Sequence, residues 1–489
     1  MDKRVYSVTD FGAVGDGVTD DGLAIGRALQ TVLEDPFEGI KELRFECERV
    51  YRVCETPPTC NKRRLFTMEK ARHIHLCGCG CKLLFTGDAK LLSAHDCEDI
   101  RLSGMVIDYE PRPFILATVT RTDPENAVLE LEADEDIGLT ERFDPPEWWF
   151  AFPNRTDIRG HYFIRRMEPL GERRYRLTIH ENTAARVREA KPGDRFLLPI
   201  IGGSHFAGSM CEILGNNGFA IENLRIYSMP EFGFDVRLNR GSCSFTNVAL
   251  CPREDEEEQL VSWRDGFHIK DNLDPIVWNH CYIGPLGDDA FNLSCVYLDV
   301  TAVSADGAEI HAHPAEVGDT RALAPGDEYV AYDMAHGREL GRGRAAEVFP
   351  SDVDVHFTVD TPMPALQPGM QIAFYKYANP NYLVKDSTIT GTVRVRSSGT
   401  FENCRFDVFW VRIENEFFVE GPIPRDVTFR NCTFTTPYEA DAPIFHVGTV
   451  GLNGLTDCEY KCTGIRLENC VFEKGTMEIE PGNEVVICP

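Results

Sequence analysis

Three aspartates carry the clearest chemistry in this chain. Asp265 sits in Trp263-Arg264-Asp265-Gly266-Phe267-His268, and a pair follows in Gly287-Asp288-Asp289-Ala290-Phe291-Asn292. The interval between the single acid and the pair matches about one coil of a parallel β-helix, an architecture in which residues one coil apart stack. Stacking would gather the three carboxyls on one face. Like charges so close repel, so at least one carboxyl is expected to keep its proton near neutral pH. A protonated carboxyl beside an ionised one is the acid/base pair of glycosidic bond hydrolysis. In hydrolysis with inversion the acid and base stand roughly 6.5–9.5 Å apart, with room for a water between them.

Other residues qualify as their neighbours. His268 lies three positions after Asp265, and on an extended strand it would face away from the acid, so core packing and sugar contact are both open. Asn292 reads as a coil turn or as a partner of a sugar hydroxyl, with the turn preferred. Arg394 and Arg396 share one face of a strand and either orient a hydroxyl-rich ring, hold an aspartate ionised or form an exposed ion-pair face. Glu420 reads as a sugar contact or a surface acid. Trp263, Trp148, Trp149 and Trp410 are candidate sugar platforms, since aromatic faces pack on the apolar side of a pyranose. Trp263 is the best placed, two residues before Asp265. The run Glu254-Asp255-Glu256-Glu257-Glu258 reads as a solvated loop.

Repeats supply the scaffold. Ile221-Glu222-Asn223-Leu224-Arg225-Ile226, Trp278-Asn279-His280-Cys281-Tyr282-Ile283, Phe401-Glu402-Asn403-Cys404-Arg405-Phe406, Phe429-Arg430-Asn431-Cys432-Thr433-Phe434 and Leu467-Glu468-Asn469-Cys470-Val471-Phe472 share one form. An Asn that tolerates left-handed backbone precedes an alternating strand, the unit of a β-solenoid. One amphipathic helix is expected from Asp20 to Leu33, where it would cap the exposed end coil. Two stretches break the repeat, from about Tyr109 to Leu198 and from about Leu298 to Tyr377. Each contains separate alternating strands and closes on a Pro-Gly turn, Lys191-Pro192-Gly193-Asp194 and Gln367-Pro368-Gly369-Met370. Both read as small inserted antiparallel β-barrels. The expected order is solenoid over 1–108, a barrel over 109–198, the catalytic coils over 199–297, a second barrel over 298–378 and solenoid again over 379–489.

Composition bounds the partners. Of 489 residues, 78 are Asp or Glu and 50 are Lys or Arg, a formal net charge of -28 that argues against nucleic acid or an anionic membrane surface. The start, Met1-Asp2-Lys3-Arg4-Val5-Tyr6, has no apolar run, which reads as lacking a secretory signal. With 18 cysteines the expectation is a cytoplasmic protein with reduced thiols. In Cys77-Gly78-Cys79-Gly80-Cys81 the alternate positions could bring three sulfurs together. The missing fourth ligand favours stacked core thiols over zinc. No metal and no cofactor is assigned.

The opening Val8-Thr9-Asp10-Phe11-Gly12-Ala13-Val14-Gly15-Asp16-Gly17-Val18-Thr19-Asp20-Asp21 resembles the N-terminal signature of pectin-lyase-like proteins. That resemblance implies an all-β, right-handed parallel β-helix, here with two inserted β-barrels and an N-terminal capping helix. Asp265-Gly266-Phe267-His268 followed by Asp288-Asp289-Ala290-Phe291-Asn292 resembles the catalytic region of glycoside hydrolase family 110, exo-acting inverting α-galactosidases of α-1,3-linked terminal galactose. Val393-Arg394-Val395-Arg396-Ser397-Ser398-Gly399 is similar to that family's arginine-containing coil, and Phe418-Val419-Glu420-Gly421 to its later Glu-containing segment. The chain departs from the pattern at Leu293-Ser294-Cys295, where the family has His-Gly, and at Phe417-Phe418-Val419, where it usually carries Trp. By resemblance to polygalacturonases, Asp288 is the general acid, and Asp265 and Asp289 hold the attacking water. His268, Asn292, Arg394, Arg396, Glu420 and Trp263 are the substrate-binding candidates. The implied partner is a glycan ending in α-galactose, and a homo-oligomer is left open. A polygalacturonase-like hydrolase, a polysaccharide lyase and a non-catalytic glycan-binding solenoid are the alternatives.

Overall fold

The computed structural model describes residues 1–57, 63–145, 149–154, 160–199, 208–254, 260–315, 320, 322–351, 353–416, 420–450 and 458–488. Its main body is a parallel β-helix in which, among the described residues, 28 strands form one continuous sheet system wound around a shared core. Successive coils pair in parallel, as Phe234–Arg237 does with Phe267–Lys270, and Phe267–Lys270 with Asp289–Val296. The helix Gly22–Glu34 covers the N-terminal end. Its Ala24, Ile25, Ala28, Leu29 and Val32 face the solenoid core. Among the described residues no helix is long and apolar enough to cross a membrane.

Two closed six-stranded barrels interrupt the winding, one with strands between Phe114 and Pro199, the other between Leu298 and Ala373. Each has its own apolar core. The strand Asp289–Val296 leads straight into the second barrel, whose first strand is Leu298–Val303.

Two kinds of ladder fix the coil register. Inside, Phe234 stacks on Phe267 at 4.8 Å between ring centroids, and Phe267 on Phe291 at 5.1 Å. These pairs lock the coils that bear the aspartates, because a one-residue slip would turn every ring outward. At the turns, Asn223, Asn403, Asn431 and Asn469 adopt positive φ as the repeat predicts. In the segment Trp278–Cys281 that conformation falls on His280 instead of Asn279. Asn469 donates to Asn431 at 2.8 Å, and Asn431 to Asn403 at 3.1 Å.

A second Asn ladder lies fully inside. Asn216, Asn239, Asn272 and Asn379 stack through Nδ2–Oδ1 bonds of 3.1, 2.9 and 2.8 Å. Each Nδ2 group also caps main-chain carbonyls, as Asn272 does at Val236 and Lys270. Replacing Asn272 by Ala would take from the buried Asn239 main-chain N–H its acceptor, Asn272 Oδ1 at 3.0 Å, and leave Asn239 Nδ2 with main-chain carbonyls alone. The expected cost is about 1–3 kcal/mol, read from urea denaturation; an unchanged midpoint would show that the ladder adds nothing to stability.

The cysteine cluster differs from expectation. Cys79 forms a disulfide with Cys47, Cys81 is buried and Cys77 is half-buried. The three sulfurs do not converge, because strand alternation breaks at the coil corner. Cys79 has φ 51° and Gly80 φ 79°, and the pairing register shifts between Cys77 and Cys81. The expectation of uniformly reduced thiols fails at this pair.

Candidate active site

The corner before Phe267 and the start of the strand Asp289–Val296 bring the acids together. Gly266 N donates to Asp289 O at 2.9 Å, and Gly287 N to Ser262 O at 2.9 Å. A side chain is excluded at Gly287 and crowded at Gly266. A Cβ on Gly287 would come within 2.2 Å of the Trp263 carbonyl oxygen, and one on Gly266 within 2.7 Å of Leu286. One carboxylate oxygen from each of Asp265, Asp288 and Asp289 consequently lies within 4.8 Å of the other two. That approach is closer than the gap expected for an inverting pair, so the spacing itself does not argue for inversion. Three acids so close are also a set able to hold a hard cation through oxygen.

These acids line a cavity of about 410 Å3 together with Phe232, Arg237, Arg264, His268, Asn292, Arg394 and Glu420. Burial, then the charge of Asp288, pushes the Asp265 carboxyl well above the usual carboxylate range. Asp289 is raised likewise: burial outweighs the opposing pull of Arg394, whose Nε is 3.2 Å away, and Asp288 and Asp265 add to the rise. Asp288 is the most accessible of the three and pairs with Arg264 at 3.3 Å. Asp265 and Asp289 raise each other's carboxyls, so a proton on either is a property of the buried pair.

His268 does not face away from Asp265; its Nδ1 lies 2.7 Å from Asp265 Oδ2. Strand alternation does not reach Asp265, because the regular strand begins only at Phe267 and the chain bends at Gly266. Burial, then Lys270 and Arg237, lowers the His268 pKa to about 3, so the ring is neutral. Asn292 is not a turn residue. It lies inside the strand Asp289–Val296, buried, and its Nδ2 donates to Glu420 Oε1 at 3.0 Å. Its Oδ1 has no hydrogen-bond partner among the described residues.

Glu420 is no surface acid. A short antiparallel pairing of Val296 with Glu420 and Cys295 with Gly421 sets it against the active strand. Its Oε1 accepts from Lys270 Nζ at 2.9 Å, and its Oε2 from Arg396 Nη1 at 2.9 Å. Burial alone would raise this carboxyl; Lys270, then Arg396, instead hold it well below the ordinary range. Arg394 and Arg396 do not form an exposed face. Arg394 reaches the cavity, whereas Arg396 is fully buried beyond the strand end at Val395.

Trp263 is corrected outright as a sugar platform. Its ring is fully buried and stacks on Phe150 of the first barrel at 4.8 Å, clamping barrel to solenoid. Trp149 packs edge-on against Phe143, Trp148 lies outside the described residues, and Trp410 remains exposed with Arg412 over its ring at 4.7 Å. Asp289 pairs with Thr392 and Thr392 with Trp410, so Trp410 stands two strand spacings from Asp289, roughly 10 Å. Most of the acidic run and Phe417–Val419 also lie outside the described residues.

Lys270, Phe232 and His161 are residues the sequence does not flag. Lys270 follows His268 by two, so strand alternation from the histidine would have pointed to it. Phe232 sits in a loop between strands. His161 comes from the first barrel; burial lowers its pKa to about 4 against the opposing charge of Asp288. No periodicity connects a barrel residue with a coil a hundred positions later.

No family model matches the chain, and no curated protein matches it by sequence. Among solved structures, the surface adhesin PfbA of Streptococcus pneumoniae is similar with a TM-score of 0.36 at 10% identity, over 99% of this chain and 93% of that one. The mannuronan C-5 epimerase AlgE4 A-module of Azotobacter vinelandii has a TM-score of 0.35 at 10% identity, over 100% of both chains. An exopolygalacturonase of Thermotoga maritima has a TM-score of 0.34 at 12% identity, over 99% of this chain and 92% of that one.

Proposed function

We propose that the chain is a glycoside hydrolase that releases a terminal α-linked galactose through the centre formed by Asp265, Asp288 and Asp289. The observation that carries the reading is the convergence of three carboxyls on a cavity of about 410 Å3 that also presents Arg394 and the open acceptor of Asn292. A set that retains a proton while holding other members ionised can protonate a leaving oxygen and deprotonate a water. The choice of galactose and of the α linkage rests on the resemblance to family 110.

In this reading Asp288, nearest the mouth, gives the proton to the leaving oxygen. Asp265 and Asp289 orient the water and take up its proton. Neutral His268 fixes the Asp265 carboxyl through the 2.7 Å contact. Arg394 steadies Asp289 and reaches toward ring hydroxyls. Glu420 acts as a positioning residue, since its oxygens are already engaged by Lys270, Arg396 and Asn292.

The close spacing favours a second reading, retention through a covalent intermediate, for which carboxyls about 5–5.5 Å apart are the usual arrangement. A panel of aryl glycosides tests both. The expected result is release of galactose from the α-galactoside with β-galactose as the first anomer seen by proton NMR. First-formed α-galactose would replace inversion by retention. In Asp288→Asn, turnover of an alkyl galactoside should fall far more than that of a nitrophenyl galactoside, whose leaving group needs no proton. An equal loss on both would move the donor role into the buried pair. Absence of turnover on every glycoside, or a chelator-sensitive reaction giving an unsaturated product, would remove the hydrolase reading.

A further inference from the structure

The second barrel carries a cluster that the solenoid pocket does not use. On the strand Glu309–Pro314, Glu309, His311 and His313 alternate with Ile310 and Ala312 and point away from the barrel core. The neighbouring strand Val355–Val359 runs antiparallel and sets His356 directly across from His311. The two imidazoles lie face to face at 4.7 Å, with 7° between their planes. Glu309 Oε1 lies 3.4 Å from His311 Nε2 and 3.0 Å from His356 Nε2. One ligand atom from each of the three side chains falls within 4.8 Å of the other two.

We propose that Glu309, His311 and His356 form a binding site for a divalent transition metal, zinc before others. Two imidazoles and one carboxylate are the donor set of a three-ligand zinc site, with a fourth position left for water. Zinc bonds of about 2.0–2.2 Å place neighbouring tetrahedral ligands roughly 3.4 Å apart, which matches the two oxygen-to-nitrogen separations. The nitrogen donors select against calcium and magnesium, which take oxygen. Among the described residues no Lys or Arg pairs with Glu309, so no protein cation occupies the place of a metal. The site is also held in shape from outside. Phe349, an exposed aromatic with no core to fill, stacks on His356 at 4.7 Å and 17°, so the His356 ring is sandwiched between Phe349 and His311. Phe349 thus fixes the His356 ring, and His311, whose ring lies parallel to it, is the one that turns to bring its nitrogen to the same ion. None of these residues lines the three-aspartate pocket, so the proposal stands apart from the hydrolase reading.

Cobalt(II) added to the full chain tests the site, because its spectrum reports the ligand type and separates this cluster from the many cysteines. The expected result is one equivalent bound, with visible d–d absorption and no sulfur-to-cobalt charge-transfer band, displaced by zinc but not by calcium or magnesium. His311→Ala, His356→Ala and the shape-preserving Glu309→Gln should each abolish the band while melting like the parent without metal. Phe349→Ala should bind about 10-fold more weakly. No cobalt spectrum in the parent, a thiolate band, or binding that survives both histidine substitutions would overturn the assignment.

Discussion

Asp265→Asn is expected to lower turnover by roughly 10²–10⁴-fold and, at the same time, to make the protein more stable at neutral pH. Both effects follow from one physical fact. Asp265 is almost fully buried and lies beside Asp288 and Asp289, so its carboxyl is pushed well above its unfolded value. A group raised in this way stabilises the fold below its unfolded pKa, and that contribution disappears as pH rises through the folded pKa. Near neutrality the folded state therefore carries a carboxyl set that would be better off in water. Asn keeps the shape and can still bond His268 Nδ1, but it carries no charge to repel its neighbours. Asp289→Asn should behave the same way, less strongly, because it also discards the attraction of Arg394. Paired urea melts at acidic and neutral pH read the stability effect: parent and variant should differ little in acid and diverge as pH rises. A variant less stable than the parent at neutral pH would show that the three acids are not a strained set. Unchanged turnover would remove Asp265 from catalysis.

The parts of the molecule legible in the sequence are those governed by short-range periodicity. The recurring Asn turns give left-handed corners at Asn403, Asn431 and Asn469, and the apolar spacing after Asp21 gives the helix Gly22–Glu34. The interval from Asp265 to Asp288-Asp289 anticipates coil stacking because the coil length is itself a local property. Inference from strand alternation fails wherever a corner intervenes. It misplaces His268, which bonds across a turn, and it gathers three sulfurs at Cys77–Cys81 where the chain instead bends at Cys79. Residue type misleads at Trp263, since a large aromatic next to an acid has the same letter whether it faces a sugar or a barrel. Long-range insertion hides the rest. Asn292 pairs with Arg394 only because the whole second barrel is looped out between them, and Lys270 meets Glu420 from the far side of that excursion.

That meeting sets the second large effect. Glu420→Ala is expected to cost about 3–5 kcal/mol of stability, because it leaves the fully buried Lys270 and Arg396 without their shared carboxylate. The direction with pH is opposite to that of Asp265. Lys270, then Arg396, hold the Glu420 pKa well below its unfolded value against the cost of burial. A depressed carboxyl contributes stability above its unfolded pKa of about 4.3 and loses it as pH falls through the folded value. The parent should therefore lose stability in acid more steeply than the variant, and the two denaturation midpoints should approach each other as pH drops. Turnover should fall as well. Asn292 loses the acceptor that orients its amide, and Arg394 loses the negative charge 3.9 Å from its guanidinium. Glu420→Gln separates the two roles, since the amide oxygen can still accept from one cation while the negative charge is gone. It should retain more stability than Ala, with a shallower acid limb than the parent. If the Ala variant unfolds no more easily than the parent at neutral pH, the two cations are satisfied elsewhere and Glu420 is not the strut that holds the active strand against the coil bearing Arg394.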